Sequence, residues 1–193
     1  MQSRGGGEWR ILGLVPRLTI RPLTLADRGA AVAVINGAAR WYREFLPPEE
    51  VHDPEMTPAQ WDDEARRLTW YGGFVDGVLV GVMGLERAHD AALLRHAYIL
   101  PEHQHQGVGL ALAEHLEAVV RQEPGPRGPR RIMVGTYARN YKARGALEKM
   151  GYRLVTDSAA VLRTYYRIPG DRLRTSVAYE KPTWEEHACA APR

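Results

Sequence analysis

Cysteine is almost missing from this 193-residue chain, and the one present, Cys189, lies near its C-terminal end. That excludes an intramolecular disulfide and fits a reducing compartment, so a cytoplasmic location is expected. No apolar run approaches the roughly 18 residues that a membrane-spanning helix needs. The first residues also lack a signal peptide's apolar stretch, because Gly5-Gly6-Gly7 and Glu8 separate Arg4 from Ile11–Val15. A large charge of one sign is missing too: 26 Lys and Arg against 23 Asp and Glu leave a net charge of +3, which gives no general case for nucleic acid. There is no Gly-Lys-Ser/Thr tripeptide, so a Walker phosphate loop is excluded. His103 and His105 have no third ligand near them in sequence, and no metal site is expected. No internal repeat is present. The remaining balance, 25% charged and 45% apolar residues, is that of a globular protein, long enough for one core and too short for two. We expect a flexible leader over 1–16, one domain over 17–181 and a tail over 182–193.

Periodicity supplies the elements. Leu18 to Leu23 alternates and reads as a strand. Asp27 is placed to cap a helix over Ala30–Ala39, and Thr57 to cap one over Pro58–Leu68 with proline at its first position. Tyr71–Val75 and Val78–Leu85 flank Asp76-Gly77, a strong hairpin signal. Arg95–Leu100 reads as a strand. The helix after it carries Val108, Leu112, Leu116 and Val119 on one face, with Glu117 and Arg121 at i,i+4 on the other. Pro124-Gly125-Pro126-Arg127-Gly128-Pro129 stops that helix. Arg131–Gly135 is a strand, and Asn140–Met150 is a helix closed by Gly151. Closing strands follow from Tyr152 and over Ser176–Tyr179, with a basic, Tyr-rich excursion at Arg163–Arg174. The order implies an α+β fold: a mixed, mostly antiparallel sheet of about six to seven strands with about four helices.

The stretch richest in chemistry is Gln104-His105-Gln106-Gly107-Val108-Gly109, between a strand and a helix. Glycines there let the backbone approach a ligand, and the unpaired amides of the first helical turn, with the helix dipole, favour phosphate. A dinucleotide fingerprint needs a third small residue, but the chain continues Leu110-Ala111-Leu112. The pattern Q/R-x-x-G-x-G/A is met at every fixed position. It resembles the coenzyme A loop of the GNAT acyltransferase superfamily. A second segment agrees: Asn140, Ala143, Lys149, Gly151 and Tyr152 fall on that family's N-x-x-A-x-x-x-Y-x-K-x-G-F/Y pattern. Ala97 to Gln104 is most similar to amine acetyltransferases of the phosphinothricin-resistance type.

The resemblance implies the GNAT fold, acetyl-CoA as co-substrate, and direct acetyl transfer to the primary amine of a small molecule in a ternary complex. It implies that main-chain groups of Ile99 and Leu100 hold the pantetheine arm. Amides of Gln106, Gly107, Val108, Gly109 and Leu110, with His105 in the same turn, would hold the pyrophosphate. Gln104 would brace the loop, and Asn140 would touch the pantetheine or the adjacent backbone. Homodimers are common among similar proteins. Two positions depart from the family: its tyrosine proton donor falls on Leu147, and its strand carboxylate on Leu93 or Leu94. Candidates for the vacated roles are Glu86, the nearest carboxylate, His96, whose ordinary pKa suits a base, and the tyrosines Tyr98, Tyr137 and Tyr141. Plainer readings stand beside these. His96 reads also as a core histidine bonded to backbone, and Glu86 as a strand-end surface charge. Arg127, Arg130, Arg131, Arg139, Lys142 and Arg144 read as a solvated face or as a site for the 3′-phosphate of coenzyme A. Trp41, Tyr42, His52, Trp61 and Trp70 read as packing or as an acceptor pocket. A catalytically degenerate fold that binds coenzyme A as a sensor is the alternative function.

Overall fold

The computed structural model describes residues 17–44, 46, 48–123, 128–166, 170 and 172–184. The leader over 1–16, Arg127, Cys189 and the side chain of Tyr42 lie outside the described residues. Seven strands form one sheet: β1 (Leu18–Pro22), β2 (Leu68–Val75), β3 (Val78–Ala88), β4 (Ala91–Ile99), β5 (Arg131–Tyr137), β6 (Arg153–Leu154) and β7 (Ser176–Pro182). They lie in the order β1-β2-β3-β4-β5-β7-β6, and only the β4–β5 pair is parallel. The helices are α1 (Arg28–Ala39), α2 (Pro58–Ala65), α3 (Val108–Arg121), α4 (Tyr141–Lys149) and the short α5 (Ser158–Val161), which runs on into a π-helical turn at Leu162–Tyr166. The mixed α+β architecture is as expected from sequence, with one short helix more.

Local chemistry explains most boundaries. Asp76 and Gly77 both have positive φ, 49° and 85°, which gives the β2–β3 hairpin the turn its twist requires. Thr57 Oγ1 accepts from the Gln60 N–H while Gln60 Oε1 accepts from the Thr57 N–H at 2.7 Å, a reciprocal cap with Pro58 at the first position. Asp27 does not cap α1. Its carboxylate accepts from the Thr24 N–H at 2.8 Å and from both terminal nitrogens of Arg21, so the chain turns into the helix one turn earlier than expected. β4 begins at Ala91, not Arg95, because Ala91 to Leu94 are buried on both faces and show no alternation to read. α2 ends at Ala65, and Leu68 opens β2. Order at the C-terminal end runs past the expected boundary at 181: Thr183 is buried, its N–H bonded to Arg130 O and its hydroxyl to Pro129 O.

Both faces of the sheet are covered. On one, Leu112, Leu116 and Val120 of α3 and Leu147 of α4 pack on Tyr71, Leu85, Leu94, Ile132 and Tyr179. Val120 joins the expected Val119 against that core, and Glu117 is buried, pairing with Arg121 at 2.6 Å and Lys181 at 2.8 Å. On the other, α1 presents Ala31, Val34, Ile35, Ala38 and Ala39 to Trp70, Phe74 and Val82, and the π-turn lays Leu162 and Tyr166 on Leu93 and Met133. Gly73 and Gly81 lie beneath the first turns of α3: a Cβ would stand 3.2 Å or 3.3 Å from Val108 Cγ1. That closeness seats the helix N-terminus against the middle of the sheet. Leu112 is fully buried at this junction. Leu112→Ala is expected to cost about 2–5 kcal/mol in urea unfolding, and a loss under about 1 kcal/mol would contradict the packing described.

Candidate active site

β4 and β5 share only four residue pairs, Ala91/Arg131 to Leu94/Val134, and then separate. The separation starts where β4 bulges. Against β3, Gly84 pairs with Arg95 and Val82 with Tyr98, so one residue more is accommodated on β4, and His96 has φ of +53°. Beyond the bulge, a cleft of about 1180 Å³ opens between β4, β5, the start of α3 and α4.

The α3 end of this cleft is main chain. His105 (φ +60°) and Gly107 (φ +83°) are left-handed, which turns the chain sharply into the helix, and Gly107 O accepts the first helical bond from Ala111 N at 2.9 Å. The N–H groups of Val108, Gly109 and Leu110 have no carbonyl one turn earlier in the helix. Gln104 Nε2 donates to Ile99 O at 3.1 Å and so ties the turn to the end of β4. His105, Gly107, Val108, Gly109 and Leu110 all border the cleft, as does Ile99. Leu100 does not: its N–H donates to Val80 O and its C=O accepts from His103 N, so both main-chain groups are committed. Strand alternation then directs the N–H and C=O of Ile99 away from β3: the C=O accepts from Gln104, and the N–H faces the gap. Gln106 also falls outside the lining, its side chain bonded to Glu102 O. Asn140 borders the cleft as the cap of α4, with Oδ1 accepting from the Ala143 N–H at 3.1 Å.

At the other end the candidate side chains separate. His96 and Tyr98 line the cleft, and Tyr98 donates to Glu55 Oε1 at 2.7 Å. Glu86 and Tyr141 do not line it. Glu86 Oε2 accepts from Arg67 Nη1 at 2.8 Å and Arg95 Nη1 at 2.7 Å, which makes it a bridge between guanidiniums rather than an available base. Tyr141 is 72% exposed on α4, beneath the Arg144 guanidinium. Tyr137, Leu147 and Tyr166 border the cleft, and burial pushes the Tyr166 hydroxyl far up, so it stays protonated. The basic cluster divides as well. Lys142 reaches the cleft and lies 4.7 Å from the Trp41 ring, whereas Arg131 sits at the opposite end of β5, held by Asp90, Glu180 and Tyr165. Trp61 and Trp70 are packing residues, stacked at 5.8 Å and buried; Trp41 alone of those three tryptophans borders the cleft.

His96 is not bonded to backbone as the plainer reading held. Its Nε2 is 3.1 Å from Glu64 Oε2, and its ring lies 5.2 Å from that of Trp70. Glu64, on the last turn of α2, also accepts from Arg67. Burial acts to raise the Glu64 carboxyl, but hydrogen bonds and charge from His96, Arg67 and Arg95 outweigh it and hold the group at about 2. Arg67, Arg95 and Glu64 were not candidates from sequence. The i,i+3 spacing of Glu64 and Arg67 is a local sign of their pairing, but nothing local marks the partner of His96, 32 residues away.

A sheet parted at its parallel pair, with a free helix N-terminus at the opening, defines an acyl-CoA N-acyltransferase fold. Residues 35–152 match the acetyltransferase (GNAT) family, and the chain belongs to that family. It is an acetyltransferase that uses acetyl-CoA. Solved structures agree in fold. The PaiA N-acetyltransferase of Thermoplasma acidophilum, in complex with coenzyme A, superposes with a TM-score of 0.69 at 18% identity, over 86% of this chain and 99% of that one. For the ribosomal-protein-S18-alanine N-acetyltransferase of Escherichia coli the values are 0.63, 19%, 91% and 100%. For an acetyltransferase of Thermus thermophilus they are 0.62, 22%, 86% and 96%. No curated protein sequence matches the chain. No helix among the described residues is long and apolar enough to cross a membrane.

Two outcomes follow from the ionic cluster. With its pKa lowered from the ordinary 4.5 to about 2, Glu64 contributes stability that is complete above 4.5 and lost as pH falls toward 2. Acid titrations of wild type and Glu64→Gln should therefore diverge in that window, and parallel curves would contradict the pairing. Glu86→Gln leaves Arg95, whose side chain is only 12% exposed, without its carboxylate. It should lower unfolding stability by about 1–3 kcal/mol.

Proposed function

We propose that the chain acetylates the primary amine of a small molecule in the cytoplasm, by direct transfer within a ternary complex. The observation that carries this reading is the corner at residues 104–110, where free amides, a left-handed glycine and a side-chain brace converge on one end of a large cleft. Those features fit the donor: the amides of Gly107 to Leu110 would hold the pyrophosphate, and Ile99 would pair with the pantetheine arm along the unpaired edge of β4. Gly109 helps by presenting no side chain on the cleft side.

The chain's remaining task is to orient two reactants and manage two protons. His96 takes a proton from the acceptor ammonium, which frees the nitrogen lone pair. Nitrogen then bonds to the acetyl carbon as the carbon–sulfur bond breaks, and sulfur leaves with the electron pair. Tyr98 or Tyr137, the tyrosines that remain at the cleft once Tyr141 is set aside and Tyr166 is held protonated by burial, gives a proton to the thiolate and recovers one from the nitrogen, which sheds its second proton on becoming the amide. Asn140 caps α4 with its side-chain oxygen, and its amide nitrogen, at the border of the cleft, would donate to the pantetheine or the adjacent backbone.

Acetyl-CoA, and not NAD, should raise the melting temperature of the wild type, and a panel of small amines should release free thiol. Gly107→Glu puts a carboxylate at the phosphate corner and a side chain at a left-handed φ. It should abolish the stabilisation by acetyl-CoA while circular dichroism stays that of the wild type. Normal binding by that variant would remove the corner from the donor site. Binding without thiol release from any amine would instead favour a sensor.

A further inference from the structure

We propose that Glu64 is a positioning residue for catalysis: its carboxylate accepts a hydrogen bond from the Nε2–H of His96, leaves the lone pair on Nδ1 for the acceptor ammonium, and stabilises the imidazolium that results. The inference rests on the reading of His96 as base given above, and it adds a residue on α2, 32 positions away, to the machinery.

Three observations carry it. The first is that His96 has φ of +53° inside a strand, a left-handed backbone that a side-chain-bearing residue keeps only where its surroundings enforce it. The bulge that imposes this conformation is also what opens the cleft. Next, the ring has few directions left. One face lies against Trp70, itself stacked on Trp61, and Nε2 is taken by Glu64 at 3.1 Å, while the residue borders the cleft. A ring held in this way offers Nδ1 as its remaining acceptor. Finally, Arg67 pairs with Glu64 and is bridged to Arg95 by Glu86, which fixes the Glu64 carboxylate in place at hydrogen-bond distance from the ring, where it would meet the charge of an imidazolium.

The protons balance. The ammonium loses one proton to Nδ1, the amine nitrogen bonds to the acetyl carbon, the departing sulfur carries away the electron pair, and the second nitrogen proton passes by way of the cleft tyrosine to that thiolate. The imidazolium then returns its proton to solvent. No oxidant, metal or covalent enzyme intermediate is required.

The test uses the full chain labelled with 15N-histidine, with His96→Asn identifying the resonance. The charged groups facing this ring are Glu64 and Arg67 from the end of α2, Glu86 from β3 and Arg95 from β4 itself. Of these, only Glu64 is changed. In wild type the neutral ring should be protonated on Nε2. In Glu64→Gln, kcat at the optimum should drop roughly tenfold or more, and the KM for acetyl-CoA should hold. Glu64→Asp, which keeps the carboxylate, should retain the Nε2-protonated ring and part of the rate. A wild-type ring protonated on Nδ1 overturns the assignment. A wild type that binds acetyl-CoA and turns over, with Glu64→Gln kinetics superimposable on it, overturns the positioning role alone. A wild type that shows neither binding nor turnover overturns the donor reading and the base role together, whatever the NMR tautomer is.

Discussion

The separation of β4 from β5 is the constraint on which the rest of the molecule depends. Two parallel strands that hydrogen-bond over four residue pairs and then diverge leave main-chain groups of β4 without a strand partner, at a depth where water alone would satisfy them poorly. The bulge at His96 starts the divergence, and α3 fixes its width by resting on Gly73 and Gly81. Donor corner, base and acceptor space are therefore consequences of one irregularity in one strand. If β4 were regular, the pleat would continue, the sheet would close and no cleft would remain between α3 and α4.

Much of this was legible in the sequence because it is written locally. The Asp76-Gly77 hairpin, the Thr57–Gln60 cap, the turn at Gly107 and the glycine after α4 each need only a few adjacent residues, and each lies where its chemistry requires. The phosphate corner belongs to the same class. The ionic cluster does not. Glu86 was the carboxylate nearest the cleft in sequence, but two guanidiniums from α2's end and β4 converge on it, and neither convergence has a sequence period. Asp27 shows the same limit on a smaller scale: a residue type suited to capping was drawn to Thr24 and Arg21 instead. The bulge adds one residue without changing composition, and the apolar run Ala91–Leu94, buried on both faces, hides the start of β4. Tyr141 is a different case. Its position in the motif pointed inward, but helical phase carries it to the surface.

The ionic cluster and the aromatic pair form one unit around His96. Trp70, stacked on Trp61, meets the ring from one side, and Glu64 meets it from another. Arg67, Arg95 and Glu86 keep the surrounding charge near balance. The Trp61–Trp70 stack and the Glu64–His96 pair join α2 to β2 and β4, and Arg67 just beyond the helix reaches Glu86 on β3, so the short helix α2 owes its place in the fold as much to this network as to its own buried residue, Trp61.

The two ends of the cleft are built in different ways. At the donor end the phosphate corner is seated by α3, whose Val108, Leu112 and Leu116 belong to the main core. The acceptor end borrows from the segment between α1 and α2. That segment is fastened by the Asn36 amide to Met56, by Glu55 to Tyr98, by Arg43 to Asp53 and by Glu50 to Thr175. Apart from Leu46 and Met56, it contributes little to the interior. A lineage exploring new acceptors can thus rewrite residues 40–57 at small thermodynamic risk, while the same freedom at residues 104–116 would unseat the scaffold. Such a division between an invariant grip and an interchangeable one lets a single architecture diversify its chemistry without refolding.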